Sequence, residues 1–220
     1  MTHIIFGPPG TGKTHKLIQK VEEYIKDGVD PAKIGYFTFS KNAAEEAQLF
    51  KNFCAYVESE QPSLVILEDY NKGVLTASLI KSVIDFCNQK GIPTAVDPKQ
   101  KNFLAFKGCT LFKPNLKEVK EGLKMDIPQI NAAELFKVHH ALHEQMKHAI
   151  SFITLSEHGV FIADTSSNKL IPTHIRNIAD VSGAGDTVIA VASLVYAASK
   201  DMVLAAEMAN IAGGLVCELV

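Results

Sequence analysis

The chain has 220 residues, 47% of them hydrophobic and 21% charged, and a formal net charge of -2. These proportions exclude wholesale disorder, and no apolar run reaches the ~18 residues of a membrane-spanning helix. No global basic field draws nucleic acid, and with Arg176 as the only arginine, bidentate readout of bases or phosphates is nearly unavailable.

The N-terminus lacks the basic start and cleavage site of a signal peptide, which predicts a cytoplasmic protein. Cys54, Cys87, Cys109 and Cys217 contain no C-x-x-C pair and read as reduced thiols. Thr2–Phe6 reads as a strand, Lys13–Asp27 as a helix and Ile34–Ser40 as a strand. Asn42–Glu60 is helical, with Ala43, Ala47, Phe50, Cys54 and Val57 at steps of three or four. Ser63–Leu67 is a buried-type strand, Ala77–Lys90 a helix, and Pro93–Val96 and Cys109–Phe112 strands. Asn115–Leu123 and Ala132–Ile150 are helices, Ser151–Leu155 and Val160–Asp164 strands, and Gly183–Ser199 and Met202–Val220 apolar helices. Alternating units of this kind predict an α/β fold, a three-layer sandwich on a mostly parallel sheet.

Two segments have the chemistry to handle phosphate. Gly7-Pro8-Pro9-Gly10-Thr11-Gly12-Lys13-Thr14 fits the P-loop pattern between a strand and a helix. Gly10 and Gly12 let backbone N–H groups curl around phosphate oxygens. Lys13 would reach the terminal phosphates and Thr14 would ligate Mg²⁺. The acids ending Leu64-Val65-Ile66-Leu67-Glu68-Asp69 are the local candidates for a Walker B partner, in the order Glu-Asp rather than Asp-Glu.

The second segment is Asp180-Val181-Ser182-Gly183-Ala184-Gly185-Asp186, ahead of an apolar helix. Its small residues free backbone N–H groups at a helix N-terminus, with Asp186 in the first turn beside them. That arrangement serves phosphoryl transfer, with Asp186 accepting a proton from an attacking hydroxyl. A helix capped by Ser182, with an acid suiting the dipole, explains the same residues.

Several motifs, in order, carry a resemblance. Leu67-Glu68-Asp69-Tyr70-Asn71-Lys72-Gly73-Val74-Leu75 resembles a D-Y-x-K-G-x-L loop. Ala95-Val96-Asp97-Pro98-Lys99 follows, then Lys113-Pro114-Asn115-Leu116-Lys117-Glu118, which carries N-x-x-E. Thr154-Leu155-Ser156-Glu157-His158-Gly159 looks like a T-x-G-x-x-G turn, and the D-x-x-G-A-G-D and Ala209-Asn210-Ile211-Ala212-Gly213-Gly214 complete the set. From about residue 49 to 220 the chain thus resembles the ribokinase (PfkB) family of sugar kinases, nearest to the heptose-7-phosphate kinase domain of ADP-heptose synthesis. The resemblance implies an ATP- and Mg²⁺-dependent kinase acting on a sugar phosphate. It implies Asp186 as general base and Gly183, Ala184 and Gly185 as anion hole. Asn115 and Glu118 would organise Mg²⁺ and its waters, and Thr154, Ser156, Gly159 and Asn210 would lie around the nucleotide. Asp69, Lys72 and Asp97 would face the reacting phosphates. Ser156 departs from the family's glycine.

Residues 1–48 resemble the P-loop start of UvrD-type helicases, with Phe37-Thr38-Phe39-Ser40-Lys41-Asn42-Ala43-Ala44 as the next motif. A P-loop β-α-β-α segment therefore replaces the family's N-terminal half, joined at about Ala47–Phe50, and its strands are expected to enter the same sheet. The family's sugar-binding half is not visible, and the chain ends at Val220 where the family continues. A P-loop NTPase using Lys13 and Thr14, and an inactive fusion, are the alternative functions.

His139, His140, His143 and His148 fall on the Ala132–Ile150 helix. His139 and His143 have metal-pair spacing without a third ligand, so a partly solvated helix is expected. Lys99, Lys101 and Lys107 read as solvated surface lysines. The two apolar terminal helices read as core, with a homodimer contact as the alternative.

Overall fold

The computed structural model describes residues 2–5, 43–173 and 183–218. The segment carrying Gly10, Gly12, Lys13 and Thr14, and the expected Ile34–Ser40 strand, lie outside the described residues. In chain order the elements are β1 (Thr2–Ile5), α1 (Ala43–Glu60), β2 (Leu64–Glu68), α2 (Ala77–Gln89), β3 (Thr94–Asp97) and β4 (Leu111–Phe112). Then come α3 (Leu116–Leu123), α4 (Ala132–Met146), β5 (Ile150–Thr154), β6 (Val160–Ala163), β7 (Asn168–Ile171), α5 (Ala184–Ser199) and α6 (Met202–Glu218). Two single 3₁₀ turns, Gln100–Asn102 and Ser156–His158, complete the set.

The strands form one seven-stranded sheet in chain order. Strands β1 to β5 run parallel, and β6 and β7 add antiparallel at one edge. β1 pairs with β2 in the register Thr2 to Leu64 and Ile5 to Leu67, so the N-terminal strand enters this sheet as expected. β2 is buried along its whole length, which is why Leu64-Val65-Ile66-Leu67 is apolar without alternation.

Side chains diverge to the two faces with the two-residue period of a strand. Val65, Leu67, Val96, Phe112 and Ile153 pack with Phe53 of α1, Leu79 and Val83 of α2, Val119 of α3 and Leu135 of α4. Leu64, Ile66, Ala95, Leu111 and Phe152 meet Val188 and Ile189 of α5 and Ala206 and Ala209 of α6. The expected three layers are therefore present. Gly213 lets α6 pack tightly on α5, since a Cβ there would lie 2.6 Å from Val188 Cγ2.

Three expectations need correction. The Ala132–Ile150 helix stops at Met146, because Lys147 turns left-handed at φ 55° and Gly108 N donates to the free Met146 carbonyl at 2.7 Å. Ile150 instead begins β5. β7 was not expected, because an edge strand exposing Asn168 and Lys169 carries little apolar signal. The helix expected at Gly183 starts at Ala184. Gly183 itself, at φ 82°, takes the N-cap position and, having no side chain, supplies no cap.

The histidine helix is partly solvated, as expected, with His140, Glu144 and Gln145 exposed, but His148 lies beyond its end at Met146. His139 and His148 are fully buried, and Ser151 Oγ lies between His139 Nδ1 at 2.9 Å and His148 Nε2 at 2.6 Å. A cavity of about 510 Å³ beside them is lined by His143, Lys147, His148, Asp164, Tyr196 and Lys200. It sits where β5 begins, at the sheet end opposite the carboxylates described below. Leu194, Leu204, Met208 and Leu215 are exposed on α5 and α6. Among the described residues no helix is long and apolar enough to cross a membrane, and the four cysteines are free thiols.

Candidate active site

Parallel strands end their chains on one side of a sheet, and loops leaving that side collect polar groups. Here β2 and β3 end in an acid each. Glu68 and Asp97 are register partners on neighbouring strands, and both are buried. The first turn of α5 brings Asp186 to the same place. Oxygens of Glu68, Asp97 and Asp186 all lie within 4.8 Å of one another.

Crowded, desolvated carboxylates resist charging together. Burial first, and then the Asp186 carboxylate, push Glu68 up to about 8; Asp97 adds to the rise, while the hydrogen bond from Tyr70 opposes it. Tyr70 Oη donates to Glu68 Oε1 at 2.8 Å, and burial followed by these same acids raises the Tyr70 phenol well above its ordinary value.

Two lysines offset the acids. Lys113 follows β4, its N–H bonded to Val96 O at 2.8 Å. Its ammonium is buried and lies 3.2 Å from Asp97 Oδ2. Lys99 Nζ lies 2.9 Å from Glu118 Oε1 and 3.6 Å from Asp97 Oδ1. Burial works against the Lys99 charge, but Asp97 and Glu118 outweigh it and raise its pKa above the ordinary lysine value. Of the three lysines read as surface, Lys101 and Lys107 are exposed and Lys99 is not.

Asn115 and Glu118 form a capping box at the start of α3. Asn115 Oδ1 accepts from Glu118 N at 2.8 Å, and Asn115 N donates to Glu118 Oε2 at 2.9 Å. Both Glu118 oxygens are thus engaged, and Glu118 reaches the acidic cluster through Lys99. Asp69 is held by two donors: Asn71 N, on its own loop, donates to Oδ1 at 2.7 Å, and Asn102 Nδ2, on the 3₁₀ turn after β3, donates to Oδ2 at 3.0 Å. Lys72 is exposed on that loop.

The expected nucleotide residues meet at a second corner. Thr154 pairs with Asn115 across β5, its N–H bonded to Pro114 O at 3.0 Å. Ser156 sits at φ 53°, a left-handed conformation that explains why glycine suits this position in the resembled turn. Gly159, at φ 88°, has no room for a side chain, since a Cβ would fall 2.0 Å from Ile171 O. Asn210 Nδ2 donates to Pro172 O at 3.0 Å, tying α6 to the same stretch.

At α5 the uncapped start leaves the N–H groups of 184–186 without helical partners. Among the described residues, a Cβ on Gly185 would meet Lys113 Nζ alone, at 3.8 Å. Backbone donors, an ammonium and an acid thus converge on one corner. Ser182, offered above as the alternative cap, lies outside the described residues.

The chain matches the pfkB family of carbohydrate kinases over residues 30–219. It belongs to that family. Among curated proteins it is 40% identical over 208 residues to the bifunctional protein HldE of Aliarcobacter butzleri, covering 94% of this chain and 41% of that one. It is 41% identical over 154 residues to HldE of Sulfurimonas denitrificans, covering 69% and 31%. The chain therefore spans well under half the length of these relatives. Escherichia coli phosphofructokinase-2 in complex with potassium superposes with a TM-score of 0.76 at 15% identity, over 99% of this chain and 76% of that one. Arabidopsis thaliana ribokinase complexed with ribose and ATP gives 0.66 at 15%, over 76% and 53%. Both share the fold of this pfkB chain.

Sequence reading placed Tyr70, Lys99 and Lys113 inside the pfkB motifs without giving them a role there, and gave Glu68 only a P-loop role. The available signal for Lys113 is its place at the end of an apolar strand, directly before Pro114-Asn115. A charge there has nowhere to go but the crowded sheet end.

Proposed function

We propose that this chain transfers the γ-phosphoryl group of ATP to a hydroxyl of a sugar phosphate, of the heptose phosphate class, with Mg²⁺. The observation that carries the proposal is the corner at the start of α5, where Asp186 stands beside uncapped N–H groups and faces Asp97 and Glu68. Membership of a carbohydrate kinase family supports the reaction class. The likeness to heptose-7-phosphate kinase motifs supports the sugar.

The residues present fit a hard divalent cation. Three carboxylates converge, and Asp97 Oδ1 is a buried oxygen with no hydrogen-bond donor. With Asp186 kept for the hydroxyl, Glu68 and Asp97 are the residues that would hold Mg²⁺. When bound, the ion supplies charge neutralisation on the phosphate oxygens. Without it, Glu68 holds a proton at neutral pH.

Asp186 receives the hydroxyl proton as the sugar oxygen attacks phosphorus. The free N–H groups of 184–186 accept the charge of the moving group, as donors fixed in advance of the reaction. Asn115 and Glu118 stiffen the start of α3 and hold Lys99 in place. The turn over Thr154, Ser156 and Gly159, with Asn210, forms the nucleotide side.

Sugar-dependent release of ADP from a panel of heptose and hexose phosphates tests the reading. Asp186→Asn should lower it by about 10³-fold or more, since the base is lost while the fold is kept. Unchanged ADP release in Asp186→Asn would refute the proposal. A sugar-independent ATPase removed by Lys13→Ala would replace it with a P-loop function.

A further inference from the structure

We propose that the cavity where β5 begins is a second binding site, for the phosphate ester of a small sugar, separate from the corner at α5.

Ile150 opens β5 in the cavity wall, and Thr154 closes it at the nucleotide side. Roughly 13 Å of strand therefore separates the two places. None of the three clustered carboxylates lines the cavity. Its volume of about 510 Å³ falls in the range of small-molecule pockets.

The walls divide by chemistry. Lys147 and Lys200 end α4 and α5, both left-handed, at φ 55° and 58°. Among the described residues neither ammonium makes an ion pair. Two unpaired ammoniums lining one cavity suit a dianion, and lysine meets phosphate as a point charge.

Asp164 supplies the opposite chemistry. Its Oδ1 accepts from Ser166 N and Oγ, both at 2.8 Å, and from Ser167 N and Oγ at 2.7 and 3.2 Å. These donors fix the carboxylate, and among the described residues Oδ2 accepts none, which leaves it for ligand hydroxyls. His143 adds a second acceptor. The His148 carbonyl, 2.7 Å from its Nδ1, can only accept, so Nδ1 carries the proton and Nε2 keeps a lone pair. His148 itself is fully buried in the wall, and its Nδ1 has no partner among the described residues. A buried polar atom left open beside a cavity marks a wall that a bound molecule completes. Tyr196 offers no free face to a base, because Lys200 Nζ lies over its ring, 5.6 Å from the centroid. Charge for a phosphate, acceptors for hydroxyls and no stacking face together favour a sugar phosphate over a nucleotide.

The test titrates the full chain, ¹³C-labelled at histidine, with the His143 signal assigned by its loss in His143→Gln. That signal reports the cavity and not the α5 corner. Glucose 6-phosphate should shift it saturably, with a Kd at least about tenfold below that of inorganic phosphate, and glucose alone should not shift it. Lys147→Asn/Lys200→Asn removes both charges with a residue that accepts left-handed backbone, and should raise the Kd about tenfold or more. If that variant does not fold, Lys200→Asn alone carries the comparison. Asp164→Asn keeps an acceptor for the serine turn. It should weaken glucose 6-phosphate about threefold or more without weakening inorganic phosphate. Asp186→Asn should leave the titration unchanged, so a failure of the kinase reading shows in ADP release and not here. No shift in the parent, an unchanged Kd in the lysine variant, or tighter binding of AMP than of glucose 6-phosphate overturns the proposal.

Discussion

Acidification puts the buried histidine pair to a quantitative test. His139 and His148 share Ser151 Oγ, at 2.9 and 2.6 Å. Burial is the main cause of their low pKa values, with neighbouring imidazoles pushing the same way. His139 falls from 6.5 to about 4 against a weak pull from Asp164, and His148 falls from 6.5 to about 3. The unfolded chain takes up both protons below about pH 6.5. Above that pH neither state binds them, and the pair leaves stability unchanged. As pH falls, only the unfolded state gains protons, so the folded state loses ground until the folded values are reached. From pH 7 to pH 5 the loss is roughly 2 kcal/mol per histidine and about 4 kcal/mol for the pair. That is a large part of the ~5–15 kcal/mol that holds a domain together.

Glu68 acts in the opposite sense. Its folded value of about 8 stands above the ordinary 4.5, so its contribution grows as pH falls between the two. Comparing the parent with a His139→Leu/His148→Leu double variant cancels that contribution. The variant starts less stable, because the Ser151 hydroxyl loses both partners. Urea unfolding at pH 7, 6 and 5 should show the parent losing about 4 kcal/mol more than the variant over this range. Parallel losses in the two proteins would refute the claim that both rings are neutral in the fold.

Two substitutions test the supports of the site. Gly159→Ala forces a side chain into a left-handed turn against Ile171 O, and should cost about 3 kcal/mol or more in urea unfolding. Asn115→Ala removes the acceptor for Glu118 N, and should cost about 1–2 kcal/mol and loosen Lys99, read as a raised KM for ATP.

Much of the fold was open to reading because single segments carried it. The unbroken apolar run of β2 belongs only in a buried parallel strand, and N-x-x-E is itself a capping box. The glycines ahead of Asp186 marked the start of α5. What stayed hidden depends on several segments at once. Lys113 and Glu68 look like ordinary charges until β2, β3 and β4 lie side by side and close them off from water. The end of α4 rests on Lys147 adopting a left-handed conformation that lysine does not advertise. β7 exposes Asn168 and Lys169 and half-buries Leu170 and Ile171, so its four residues are too short and too mixed to show a strand pattern.

Strand order and chain order coincide across the sheet. A nascent polypeptide can therefore lay each of the described strands against the one described before it. Glu68, Asp97 and Lys113 are positioned as synthesis proceeds. Among the described residues Asp186 follows all seven strands, so the carboxylate cluster is complete only after those strands have been made.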